Sequence, residues 1–287
     1  GRGNFPFTEL RAIHFQNENR GYVLGSYSDA FAKTTDGGNT WVKSTNLPSA
    51  FYYDMKVFSD QRIVLAGEYN GVSNIYVTTN GGTTWTASTA GGLSIFSVAF
   101  VDSLTGFAGS EGGKAYKTTN GGINWSEVTT LNALPNDAFF SMFTQGSNLY
   151  LMAYDSTLYV STDAGATFTP SQYLPSGNIA VVMRAGTVFG STVYLAGDYG
   201  SFYKSTNNGT NWQTPTIAAK FDFIQGIYAN PSGKIIAVGS PSTSTSGQQI
   251  IVSSNGGDSW SSFSLTAPDA DLRSIKMIDQ NTGYTVG

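Results

Sequence analysis

Apolar and polar positions alternate in short runs bounded by Gly, Asn and Ser, and nowhere does an apolar stripe recur every three to four residues as a helix requires. Leu10-Arg-Ala-Ile-His-Phe15 is followed, after a polar turn, by Gly21-Tyr-Val-Leu-Gly25. Val98-Ala-Phe100 is followed in the same way by Gly106-Phe-Ala-Gly109, and Ile227-Tyr228 by Ile236-Ala-Val-Gly239. Each pairing predicts two short antiparallel strands, here called a and b, rich in residues that suit a pleated, buried surface.

Behind each a–b pair stands one octet, found six times. It reads Thr34-Thr-Asp-Gly-Gly-Asn-Thr-Trp41, Thr78-Thr-Asn-Gly-Gly-Thr-Thr-Trp85 and Thr118-Thr-Asn-Gly-Gly-Ile-Asn-Trp125 in the first half. The second half holds Ser161-Thr-Asp-Ala-Gly-Ala-Thr-Phe168, Ser205-Thr-Asn-Asn-Gly-Thr-Asn-Trp212 and Ser253-Ser-Asn-Gly-Gly-Asp-Ser-Trp260. All five tryptophans of the chain fall in the last column, and Phe168 fills the sixth place. The third column (Asp36, Asn80, Asn120, Asp163, Asn207, Asn255) carries an oxygen that can fold back onto nearby backbone N–H groups and close a turn. Gly38 and its equivalents suit positive φ, and the terminal ring can wedge between sheets. The octet is therefore a structural turn joining a strand c to a strand d.

The period of about 44 residues matches one four-stranded propeller blade. The reading is an all-β propeller, one domain over residues 1–287, with blades at roughly 10–50, 51–94, 95–136, 137–178, 179–220 and 221–271. Residues 272–287 repeat only the a–b half, as Leu272-Arg-Ser-Ile-Lys-Met277 and Gly283-Tyr-Thr-Val-Gly287. Seven blades are expected, the last one partial, with Asn4–Phe7 available to add an outer strand to it.

Composition narrows the function. Charged residues make up 12% of the chain against 40% hydrophobic and 14% aromatic, ample for a packed core. A net charge of −4 without any basic block argues against nucleic acid as a partner. With no cysteine there is no disulfide and no thiolate metal site. His14 is the lone histidine, and no Asp-x-Asp-x-Asp loop occurs, so no metal and no required cofactor are expected. No run of 18 apolar residues would span a membrane, and the low charge with abundant Ser, Thr and Asn leans towards an exported protein.

The octets resemble the bacterial neuraminidase or Asp-box repeat shared by sialidases, xyloglucanases and sortilin-type receptors. The longer unit, with Gly-Tyr-x-x-Gly ahead of the octet, looks most like the photosystem II stability/assembly factor-like propellers, and the likeness runs from about Leu10 to Gly287. It implies that the octet turns lie on the face away from the usual binding site, leaving the d–a and b–c loops to form that site. On this register the second position of strand a reads Arg11, Tyr53, Phe96, Phe140, Ala180, Gln225 and Arg273. Guanidinium forks beside flat rings suit carboxylates together with sugars or apolar side chains. The b–c loops add Tyr27, Asp29, Glu68, Tyr69, Glu111, Tyr154, Asp155, Asp198 and Tyr199.

The Arg-Ile-Pro motif of sialidases is absent around Arg11 and Arg20, and a xyloglucanase cleft needs a second propeller. The leading expectation is a non-catalytic, exported propeller that binds a protein or glycan through Arg11, Tyr53, Phe96, Phe140, Gln225 and Arg273. The alternative is a glycoside hydrolase or lyase acting through Asp54, Glu68, Glu111 and Asp198, of which Asp54 stands where other repeats carry Ser97, Ser141 and Ser274.

Overall fold

In a computed structural model the described residues are 9–27, 31–69, 72–88, 90–91, 94–133, 135, 137–154, 157–172, 181–217, 221–241, 248–265 and 271–287. They form seven antiparallel sheets. Five have four strands in sequence order, one has three, and one has two. The inner strands are Leu10–Phe15, Phe51–Val57, Ile95–Phe100, Phe139–Gln145, Met183–Phe189 and Phe221–Ala229 for the six blades. Ser274–Met277 is the inner strand of the two-stranded sheet. Each inner strand neighbours the next, and Ser274–Met277 lies beside both Phe221–Ala229 and Leu10–Phe15, so the ring closes.

The count of seven blades is thereby corrected to six. Residues 271–287 contain strands a and b but no octet, so nothing there can turn a third strand into a fourth. The two-stranded sheet fills the remaining station of the ring. Asn4–Phe7 lies outside the described residues. In the fifth blade the fourth strand shrinks to one bridge, Lys204 to Gln213, with N–O distances of 2.9 and 2.8 Å. Pro215, two residues on, has no N–H to extend that ladder.

The core is a set of seams between neighbouring sheets. Leu24, Tyr52, Ile63 and Leu65 fill the seam between the first and second blades; Val64, Ala66, Ile95 and Ala108 fill the next. At the closure Phe15, Val23 and Val286 pack together on one side of the two-stranded sheet, and Val238 with Leu272 on the other. Phe15 and Tyr284 stack with centroids 3.8 Å apart, joining the first blade to the last sheet.

The octets work by hydrogen bonding. Thr34 Oγ1 accepts from the N–H groups of Asp36 and Gly38 at 3.3 and 2.9 Å, and Asp36 Oδ1 accepts from Thr40 N–H at 2.9 Å. The Trp41 indole donates to the Gly38 carbonyl at 3.1 Å, as Trp125 does to Gly122 and Trp260 to Gly257. Trp85 and Trp212 donate instead to Ser44 and Ser171, which stand in the preceding blade. The turns also bolt blade to blade: Lys33 of the first blade donates to the Gly81 carbonyl of the second, and Lys117 of the third to Ala164 of the fourth. The octet turn meets its own blade's a–b turn, as Gly37 N–H donates to Asn19 O and Gly121 N–H to Leu104 O. The octets therefore crowd the a–b end of the ring and leave the other end to the d–a and b–c loops.

The Thr40 hydroxyl holds the Asp36 carboxyl down at about 2, and the Thr167 hydroxyl holds Asp163 well below the usual carboxylate range. Because the folded values lie below the unfolded ones, their stabilisation is complete above about pH 4 and fades as pH falls towards 2. Asp163→Asn, whose amide has working counterparts at Asn120 and Asn207, should leave the urea midpoint at pH 7 nearly unchanged and lessen its drop at pH 3. Gly122 sits at φ 94°, where a side chain is strained, and an added Cβ would lie 3.2 Å from Val64. Gly122→Ala should destabilise the ring by about 1–2 kcal/mol in equilibrium urea unfolding.

Candidate functional site

Near its start, at the loop end of the ring, the inner strand of each blade breaks register. An extra residue is inserted opposite the second strand between Leu10 and Ala12, Tyr52 and Asp54, Ile95 and Ser97, Phe139 and Ser141, Met183 and Ala185, and Ile224 and Gly226. A bulge of this kind re-aims the side chain of the inserted residue. The inserted residues are Arg11, Tyr53, Phe96, Phe140, Arg184 and Gln225, and Arg273 holds the matching place on the last sheet. All seven line one cavity of about 590 Å³ at the loop end of the ring.

The fifth member corrects the sequence register. That register puts Ala180 there, a residue outside the described ones, whereas the bulge falls at Arg184. The signal was present in the sequence: Met183–Phe189 ends in Gly190-Ser191 just as Phe139–Gln145 ends in Gly146-Ser147. The stretch between the fourth octet and Met183 is longer than its counterparts, which shifts a count made from spacing alone.

Three arginines stand on the arc from the fifth blade round to the first, with Gln225 between Arg184 and the neighbouring Arg273 and Arg11. Arg273 and Arg11 both reach Glu9, each at 3.0 Å, and Arg11 Nε donates to Ser26 Oγ at 2.7 Å. Burial lowers the Arg11 guanidinium's affinity for its proton, Arg273 adds to this, and Glu9 offsets part of it. One carboxylate thus serves two guanidinium groups, and the pair retains a net positive charge. Arg184 pairs with Asp198 and lies 4.5 Å from the centre of the Phe223 ring. Glu9 and Phe223 are outside the sequence-derived set; neither occupies a repeat position that would have marked it.

Aromatic rings fill the facing arc. Tyr53 meets Phe96 at 5.1 Å between centroids, Phe96 meets Phe140 at 4.8 Å, and Phe140 meets Tyr154 at 6.1 Å, a continuous row across three blades. Tyr27 and Phe51 pair edge to face nearby, and Tyr199, 79% exposed and held at φ 56°, projects from a b–c loop. Exposed aromatic surface is thus gathered at this end of the ring.

The four candidate catalytic carboxylates are not gathered into one site. Asp54 and Asp198 line the cavity, while Glu68 and Glu111 do not. Glu68 accepts from Ser94 Oγ, and Glu111 bridges to Ala138 at the edge of the next blade. Asp198 is committed to Arg184. Asp54 accepts from Val98 N–H of the neighbouring blade at 3.0 Å and from Met55 N–H at 2.7 Å, so it ties two inner strands together. Asp29 and Asp155 lie outside the described residues. Among the described residues no cluster of three or more His, Cys, Asp or Glu could hold a metal ion, and no helix is long and apolar enough to cross a membrane.

With the geometry in view, similarity to known proteins becomes informative. The family model described as photosynthesis system II assembly factor YCF48 matches residues 89–267, more than half of the chain. The chain belongs to that family. Among solved structures, one described as YCF48 bound to D1 peptide superposes with a TM-score of 0.70 at 14% identity, over 97% of this chain and 90% of that one. A GH74 xyloglucanase from Xanthomonas campestris gives 0.73 at 15% identity over 97% of this chain and 50% of its own. Both likenesses show the propeller fold. A xyloglucanase of Hypocrea jecorina (strain QM6a) is 23% identical over 280 residues, and the chain spans 31% of that enzyme's length.

Burial raises the Asp54 carboxyl to about 6, above its ordinary 3.8, against the pull of the two N–H groups and Lys56. With the folded value above the unfolded one, this group's contribution to stability declines as pH rises from about 4 to about 6 and is level beyond. Asp54→Asn should therefore gain on the unmodified protein in thermal unfolding as pH rises from 4 to 7.5. A difference independent of pH would contradict this assignment.

Proposed function

We propose that the chain is a non-catalytic binding propeller whose loop-end cavity takes a peptide segment of a protein partner. The observation that carries this reading is the bulge ring, which aims three guanidinium groups from one arc and three aromatic rings from the facing arc into one cavity. Guanidinium forks suit carboxylates, and the tilted rings offer apolar area to neighbouring side chains. Family membership supports a protein ligand, since YCF48 has been captured with a D1 peptide.

The hydrolase reading has less support. Its two cavity carboxylates are each engaged, Asp198 by a guanidinium and Asp54 by two backbone donors, and neither is free to protonate a leaving group or activate water. A glycan ligand without cleavage fits the aromatic row and is distinguished by experiment. Export of the chain is part of the proposal and is tested by fractionation of the producing cells.

The D1 peptide of the YCF48 complex and xyloglucan oligosaccharides are the first probes, titrated by calorimetry. Binding of the peptide, weakened tenfold or more by Arg11→Ala with Arg273→Ala and again by Tyr53→Ala with Phe96→Ala, is the expected result. Uncleaved oligosaccharide binding lost in the aromatic variant would replace the protein partner with a glycan. Sugar release would overturn the non-catalytic reading.

A further inference from the structure

The cavity lining does not end at the arginines. Ala12, Asp54 and Ser274 line it on three consecutive inner strands. Two residues on, where an extended strand returns its side chain to the same face, stand His14, Lys56 and Lys276. All three remain partly exposed, so a small solute can reach them. They stand at one level of three neighbouring inner strands, one step along from the cavity-lining Ala12, Asp54 and Ser274 and beneath Arg273 and Arg11.

Among the described residues, Asp54 alone offsets part of the charge at that level. Lys33, Lys117 and Lys234 each donate to a carbonyl, and Lys114 and Lys204 each reach a carboxylate. Among the described residues Lys56 and Lys276 do neither; the Lys56 ammonium lies 6.0 Å from the centre of the Phe58 ring. Asp54 offsets Lys56, but it is already engaged by two N–H groups, and Lys276 meets the like charge of Lys56. Burial, followed by both ammonium groups, presses His14 down to about 4, so near neutral pH it adds a hydrogen-bonding group without charge. Two partly buried ammonium groups that repel each other cost stability, and a chain of net charge −4 has carboxylates elsewhere that could have relieved it.

We propose that this level of the channel is a site for a small oxyanion, held between Lys56 and Lys276 with His14 beside it. A phosphate, a sulfate or a small carboxylate has the required charge and acceptor oxygens. The site is separate from the peptide-binding reading of the mouth and stands whether or not that reading holds.

The test is thermal unfolding and calorimetry of the purified chain at pH 7 in sodium phosphate, sulfate or acetate, against chloride at equal ionic strength. The expected result is a saturable rise in Tm of about 2 °C or more once the anion exceeds its dissociation constant about tenfold. Phosphate and sulfate acting without acetate would define a tetrahedral-anion site; acetate acting equally would define a carboxylate site. Lys56→Met with Lys276→Met should abolish the rise and increase Tm in chloride, because the repulsion is gone. Lys276→Arg, which keeps the charge, should retain the anion response and guards against a variant that fails to fold. An equal rise in the unmodified protein and the double Met variant would overturn the proposal, as would no rise beyond chloride with any anion.

Discussion

Each blade of this ring is a thin sheet with two apolar faces, and only its neighbours can cover them. That constraint governs the rest of the structure. Val64 and Leu65, adjacent on one strand, point into different seams, and both are fully buried. At about 1.5–3 kcal/mol for each large aliphatic or aromatic side chain, every seam contributes several kcal/mol, and an open ring would leave two faces wet. Among the described residues the sheet at 274–286 has two strands, and with Leu272 it covers both neighbours: Val286 and Tyr284 pack on the first blade, Leu272 and Ile275 on the sixth. The ring closes where the inner strands of this sheet, the first blade and the sixth meet.

The same constraint separates what is repeated from what varies along each blade. The octets hold the a–b end: their oxygens close the turn, their rings pack against the seam, and lysines of one blade grip the carbonyls of the next. Residues there are repeated because every blade has the same mechanical problem. At the opposite end a bulge recurs in every blade, while the residue it presents changes from Arg to Tyr, Phe and Gln. Repetition of backbone geometry with variation of side chain is how a symmetric ring acquires an asymmetric mouth, cationic on one arc and aromatic on the other.

Much of the fold was legible in the sequence because the octet is local. Its hydroxyl, amide or carboxylate, glycines and terminal ring lie within eight residues, and the period follows from their positions. What escaped depends on contacts between distant segments. Arg184 was missed because a long d–a connection displaced the count, although the hairpin ending in Gly190-Ser191 was a better anchor than the octet. Glu9 acquires its role through two arginines that ring closure brings together from opposite ends of the chain. Asp54 stands out in the sequence as a departure from the repeat, and its oxygens are occupied by backbone donors, one of them from the next blade, a use no spacing reveals. The final sheet was readable as the first half of a repeat; that its inner strand lies beside both the first and the sixth blades was not.

The central claim is that the bulge ring, rather than the octet face, meets the partner. Hydrogen–deuterium exchange of the chain with and without bound peptide tests this most directly. The account predicts added protection at the starts of the inner strands, around residues 11, 53, 96, 140, 184, 225 and 273, and in the b–c loops beside them. Protection confined to the octet turns, such as those at 34–41 and 118–125, with exchange at the bulges unchanged, would contradict it.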